Sequence, residues 1–242
     1  MDFRKAHSEE YKYQENVIGK DQLSERTVVL IIFALIGFAA IVGLTLAVQT
    51  GWLLLVMGCA CCFIGVFYTF GPIPLSRMPL GEVFSGVTMG LGIFAITIYL
   101  NTYDKRLFFM ELDLRHFAIT GSTTAALAVV WASLPLIATI ANIMLANNLC
   151  DLEQDIANHR YTLPFYLGKK NAVVLFNLLM YSCYGAIIVG WLAGIYQWPI
   201  LLTFLSLVKV YPQTRAFTKE QVKSRTFVMS IKNLVSFNSC YA

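Results

Sequence analysis

The chain reads as an all-α, multi-pass transmembrane helical bundle, and three observations carry that reading. It is 57% hydrophobic and only 13% charged, well below the charged share of a soluble domain. Its apolar residues fall into long runs, each near the length that crosses a bilayer. Its charges gather in the connections between those runs, with a strong bias to alternate connections. One membrane-embedded domain over 1–242 accounts for all three. The net charge of +4 therefore speaks of membrane orientation, with no nucleic-acid partner implied.

Six runs can be marked: 28–48, 52–70, 83–100, 117–145, 172–196 and 199–211. Residues 1–26 ahead of them are polar and lack the apolar core of a signal peptide. The first two runs are joined by a short turn at 49–51. The second carries Cys59, Cys61 and Cys62 with no His nearby, which makes them small packing residues and not a metal site. Between the second and third lies YTFGPIPLSRMPLGE, 68–82, whose prolines and glycines break any helix. The connection at 100–117 has mixed charge and is assigned no chemistry. The fourth run is long enough to extend past the membrane, with Pro135 as a kink. Aromatic residues (Trp191, Tyr196, Trp198, Tyr211) cap the last two runs, as interfacial belts do, and Lys209 snorkels. A partial seventh segment begins near Thr226, but Asn233, Ser236, Asn238 and Ser239 make it too polar to span well.

Lys and Arg fix the orientation. Arg4, Lys5, Lys12, Lys20 and Arg26 precede the first run. Arg77, then Arg160, Lys169 and Lys170, then Arg215, Lys219, Lys223 and Arg225 occupy the second, fourth and sixth connections. Only Lys105, Arg106 and Arg115 lie on the other side. The positive-inside rule puts the N-terminus and the loop around 147–170 in the cytoplasm, in a cell membrane.

The informative stretch is ANIMLANNLCDLEQDIANHRYTLPFYLGKK, 141–170. An apolar run turns polar at Asn147 and Asn148 and then places Asp151, Glu153 and Asp155 together. Continued as a helix, Asn147, Asp151 and Asp155 share one stripe, the two carboxylates separated by about 6 Å of rise. Carboxylates beside hydrocarbon are costly and are usually functional. Mg²⁺ takes one or two protein carboxylates together with waters and phosphate oxygens. Arg160, Lys169 and Lys170 just downstream can meet the rest of a phosphate's charge. The ligand that fits is a Mg²⁺-bound diphosphate. A solvated helix end with ordinary loop charges is the plain alternative. Tyr68 and Arg77, flanking the Pro-rich break on the same side, fit the same site: Arg77 against the diphosphate and Tyr68 facing the cavity. A rigid loop with one topogenic arginine is the plain alternative there.

YTFGPIPLSRMPLGE, NNLCDLEQDIANHRYTLPFYLG and SRTFVMSIKNL resemble the UbiA-type membrane prenyltransferases, and the Pro-rich loop resembles the naphthoate branch of that family. The resemblance covers essentially the whole chain. It implies a bundle of nine membrane helices around a central cavity, with two Asp-rich motifs binding a Mg²⁺-bridged polyprenyl diphosphate. The second motif falls on Asn147, Asn148, Asp151 and Asp155. MDFRKA resembles the tail of the first, which makes Asp2 its surviving acid. By this comparison the chain is trimmed at both ends, without two N-terminal helices and the end of the last one.

The implied reaction is transfer of the prenyl group to an aromatic acceptor, 1,4-dihydroxy-2-naphthoate, with loss of its carboxylate to give demethylmenaquinone. The implied roles are Asp151 and Asp155 on Mg²⁺, supported by Asn147, Asn148 and Asp2. Arg77, Arg160, Lys169 and Asn148 are at the diphosphate, and Tyr68 steadies the allylic cation or orients the acceptor. Membrane lipid surrounds the bundle. A related enzyme with another acceptor, an inactive remnant and a small transporter are the competing readings. The last would place ionisable residues deep in several helices, whereas Glu82 and Lys209 lie only near ends.

Overall fold

The computed structural model describes residues 17–69, 74–105, 107–112 and 116–242. Asp2 lies outside them, as do Arg106 and Arg115. After a helical turn at Val17–Lys20, helix α1 runs Glu25–Thr50 and α2 runs Trp52–Thr69. Gly51 alone separates them, at φ 114°, a backbone region that suits glycine. Helix α3, Gly81–Asn101, contains a π-helical stretch at Gly86–Gly92. Strands β1 (Phe108–Leu112) and β2 (Phe117–Gly121) pair as a hairpin. Helix α4 follows at Thr123–Cys150, with short helices α5 (Leu152–Ala157) and α6 (Leu163–Leu167). Helix α7 runs Lys169–Leu192. A 3₁₀ run at Trp198–Ser206 leads directly into α8 (Leu207–Lys219), and α9 spans Phe227–Tyr241.

Among the described residues, five helices are long and apolar enough to cross a membrane: α1, α2, α3, α4 and α7. Two sequence boundaries are corrected. The fourth run does not begin at Phe117: FAITG is a strand, rich in the aromatic and β-branched residues that suit one. The helix starts only after Ser122, whose hydroxyl accepts from the Ala125 N–H at 3.2 Å. The sixth run is no plain helix, since its apolar half winds as 3₁₀ and its α-helical half extends to Lys219. Helix α4 continues through Pro135 without interruption.

The chain forms two compact units. One holds α1, the start of α2 and the β-hairpin. The other, 64–107 and 121–242, holds everything that follows below. Its core joins α4, α7 and α8 through the fully buried Leu145, Leu149, Phe176 and Phe217, with the two rings 4.4 Å apart. A second cluster joins α7, α8 and α9 through Met180, Ile187, Val210 and Phe237. The π-helical stretch of α3 lies against α4. A Cβ on Gly90 would come within 2.5 Å of the Ile137 nitrogen, so only glycine fits this approach.

The polar residues of the last segment explain its place. Asn233 is buried and donates to Thr214 Oγ1 at 2.9 Å, and Asn238 Oδ1 accepts from Thr139 at 3.3 Å. The Tyr196 and Tyr241 hydroxyls lie 2.8 Å apart, and Tyr241 donates to the Ala132 carbonyl at 2.7 Å. These bonds stitch α9 to its neighbours where apolar contact alone gives little preference in lipid.

Candidate functional site

Helix α4 ends at Cys150, and Asp151 is the joint between α4 and α5, with φ −97° and ψ 7°. The stripe is therefore not one uninterrupted helix. Its i→i−4 bonds survive the joint, with Asp151 N–H on the Asn147 carbonyl at 3.1 Å and Asp155 N–H on the Asp151 carbonyl at 2.7 Å. Asn147 and Asp151 remain on one face. Their oxygens converge on a single cationic atom: Lys223 Nζ, from the connection between α8 and α9, is 2.5 Å from both Asn147 Oδ1 and Asp151 Oδ2. The same ammonium sits 4.8 Å above the Phe227 ring.

Asp155 is buried, at 4% exposure. Arg160 Nε lies 3.4 Å from its Oδ1, an ion pair without hydrogen-bond alignment, while Oδ2 has no hydrogen-bond partner. Burial pushes this carboxyl up to about 6, and Asp151 adds to the rise; Arg160, Lys223 and the Thr162 hydroxyl oppose it. Arg160 also donates through Nη2 to the Ser76 carbonyl at 3.3 Å. That bond ties the junction to the 3₁₀ turn Leu75–Arg77. The half-buried Arg77 is thus carried by the same loop that Arg160 grips.

Asn148, expected at the diphosphate, is buried and faces elsewhere: its Nδ2 donates to Glu82 Oε1 at 2.8 Å. The reason is helical geometry, because successive residues on a helix point about 100° apart. Glu82 is 3% exposed, and its second oxygen has no hydrogen-bond partner. Tyr68, near the end of α2, donates to Met144 Sδ at 3.4 Å and lies within electrostatic reach of Glu82 and Arg160. Lys169 opens α7, exposed, with Gly168 before it at φ 75°. It neighbours Cys150, on the Asp151 side of the junction.

Asn147, Asp151, Asp155, Arg160 and the Ser76–Arg77 turn are thus brought into one cluster, with Tyr68 on its Glu82 side. Two of its residues escaped the sequence reading. In the sequence Glu82 is a charge near a helix end, and a carboxylate opening an apolar helix is itself a signal. Lys223 reads in the sequence as one of the topogenic charges, and nothing in its local sequence announces a contact 72 residues away.

The residues fit a hard divalent cation. Asn147 and Asp151 already direct two oxygens at one cation, and Asp155 keeps a buried oxygen without a hydrogen-bond partner close by. Among the described residues no three His, Cys, Asp or Glu side chains group as a metal site. Mg²⁺ does not require three, since phosphate and water complete its shell. All six cysteines are unpaired.

A family model described as the UbiA prenyltransferase family matches residues 12–234. Among curated proteins, a 1,4-dihydroxy-2-naphthoate octaprenyltransferase of Bacillus subtilis (strain 168) is 26% identical over 223 residues. The match covers 90% of this chain and 64% of the relative, so the chain spans less than two thirds of that protein's length. No solved structure matches the chain significantly.

Proposed function

The chain belongs to the UbiA prenyltransferase family, and from that premise we propose that it transfers a polyprenyl group from its diphosphate to 1,4-dihydroxy-2-naphthoate. The observation that carries the proposal is the α4–α5 joint. There an amide and a carboxylate already share one cation, and a buried carboxylate, an arginine and a loop bearing a second arginine stand beside them. A diphosphate needs this combination of hard oxygen ligands and guanidinium donors.

In the proposed reaction the bond between the allylic carbon and the diphosphate oxygen breaks, and its electron pair leaves with the diphosphate. The ring carbon that carries the carboxylate forms the new carbon–carbon bond. Carbon dioxide departs and returns its bonding pair to the ring, giving the reduced form of a demethylmenaquinone. Mg²⁺, held by Asn147, Asp151 and Asp155, would supply charge neutralisation at the leaving group. Arg160 and Arg77 orient the diphosphate and take up its developing charge, with Lys169 at the rim. The Tyr68 ring offers its π face to the allylic cation. Asp2, which resembles the acid of the first Asp-rich motif, would add a ligand. The spanning-length apolar helices support a membrane setting; in this reading it is the cell membrane, with the N-terminus and the 147–170 loop cytoplasmic and bulk water kept from the cation. Another aromatic acceptor is the competing substrate.

Membranes containing the chain, given radiolabelled prenyl diphosphate, 1,4-dihydroxy-2-naphthoate and Mg²⁺, should form a lipid-soluble labelled product. Asp151→Ala should lower its rate by more than about 100-fold. Product formed equally well by the variant would refute this assignment of the site, and product only with a hydroxybenzoate would move the acceptor.

A further inference from the structure

Lys223 does more than balance a surface charge. Its connection is held by backbone on both sides: Thr226 Oγ1 accepts from the Val222 N–H at 2.8 Å, the Thr226 N–H bonds the Val222 carbonyl at 2.9 Å, and Gln221 Nε2 donates to the Phe217 carbonyl at 2.7 Å. The Lys223 side chain itself is 45% exposed, so it can swing while its anchor stays fixed. Arg160 differs, since a carboxylate and a carbonyl hold its guanidinium at two points. An ammonium and a divalent cation cannot share Asn147 Oδ1 and Asp151 Oδ2, because like charges at contact distance repel strongly.

We propose that Lys223 is a tethered stand-in cation. It holds the Asn147–Asp151 pair until the metal arrives, yields those oxygens to it, and turns its Nζ to the diphosphate that comes with the metal. The inference rests on the prenyl-diphosphate reading of this site. It makes the binding of metal and diphosphate mutually dependent: the metal alone must displace an ion pair, while the metal with diphosphate gives the displaced ammonium a new anion. The pair also stays neutralised and pre-shaped when no metal is present.

The test compares the purified full chain with Lys223→Met, Lys223→Arg and Asp151→Asn. Mn²⁺ binding without diphosphate is followed by electron paramagnetic resonance. Binding of a labelled, non-reactive prenyl thiodiphosphate is followed at saturating Mn²⁺. Lys223→Met should tighten Mn²⁺ alone by about tenfold and weaken the thiodiphosphate by a similar factor, within the usual range of coupling between two ligands. Lys223→Arg, which keeps the charge, should stay near the parent chain in both. A merely structural lysine would move both affinities in the same direction or neither. Asp151→Asn separates the two ideas. If it abolishes Mn²⁺ binding while Lys223→Met leaves Mn²⁺ affinity unchanged or weaker, the stand-in role is refuted and the metal site stands. If Mn²⁺ binds Asp151→Asn as well as it binds the parent, the metal-site reading falls and this inference with it.

Discussion

Asp151 and Asp155 sit one helical turn apart and share a chemistry, yet their surroundings are opposite. Asp151 is half-buried at a helix joint, and its partner is a lysine whose side chain is 45% exposed. Asp155 is buried, its partner is an arginine fixed at two points, and one of its oxygens lacks a hydrogen-bond partner. The difference separates two tasks that a paired-carboxylate motif hides. In the proposed metal site, one carboxylate would be the exchangeable one, open to an arriving cation. The other is clamped, so that the loop at Ser76–Arg77 is held against the junction whether or not a ligand is present.

Removing each carboxylate in turn strains this comparison most. Asp155→Ala releases Arg160 and the Ser76–Arg77 turn it holds, and should cost about 1–2 kcal/mol, the lost contacts being partly offset by relief of a buried carboxylate. Asp151→Ala breaks a partly exposed pair and should cost under about 1 kcal/mol. Both should lose transfer activity, so the split appears in thermal unfolding of the detergent-solubilised chain. Equal melting temperatures for the two variants would show that Asp155 is not clamped.

Arg160→Lys sharpens the same point. Lysine keeps the charge but cannot reach Asp155 and the Ser76 carbonyl together as a guanidinium fork does. Loss of the carbonyl bond should cost about 1–2 kcal/mol and raise proteolysis at the 74–80 turn. Lys223→Arg, the reverse exchange at the other carboxylate, should leave both readouts in place.

Acidification moves stability and cation binding in opposite directions at Asp155. The folded Asp155 carboxyl titrates near 6, above its usual 3.8. Between those values the folded state binds more protons than the unfolded one, so this group adds stability as pH falls through about 6 and removes it as pH rises. Cation binding runs the other way, because the metal needs the carboxylate. Mn²⁺ affinity should drop by up to about tenfold per pH unit below 6. Calorimetric titrations between pH 7 and 5 read this, and a flat profile would mean that Asp155 is not a ligand.

The sequence made the bundle legible because hydropathy is a local signal, and five of its apolar runs became helices of spanning length. It also made the Asn147–Asp151–Asp155 stripe legible, because an i, i+4 pattern needs only one helix. It did not show that Asp151 would be a joint, since a helix end beside a carboxylate has no unique signature here. Phe117 was misplaced because an aromatic, β-branched pentapeptide is apolar in a strand as well as in a helix. Two adjacent asparagines look alike in sequence, yet Asn147 meets Lys223 while Asn148 bonds Glu82. Glu82 and Lys223 became visible only through contacts 66 and 72 residues long, which no local pattern contains.

The smallest effect bears on what Lys223 contributes to the fold. A lysine whose side chain is 45% exposed gains little from its carboxylate, because solvent screens the pair and the long side chain loses freedom in making it. Lys223→Met should therefore shift stability by less than about 1 kcal/mol at low salt, and by still less at about 1 M salt, where the screening length falls to about 3 Å. Methionine is an unbranched side chain of similar length without the ammonium that sits above the Phe227 ring, so the comparison isolates the charge. A large, salt-insensitive loss of melting temperature would mean that the Asp151–Lys223 pair is a structural clamp like Asp155–Arg160. The two ends of the junction would then differ in exposure but not in task.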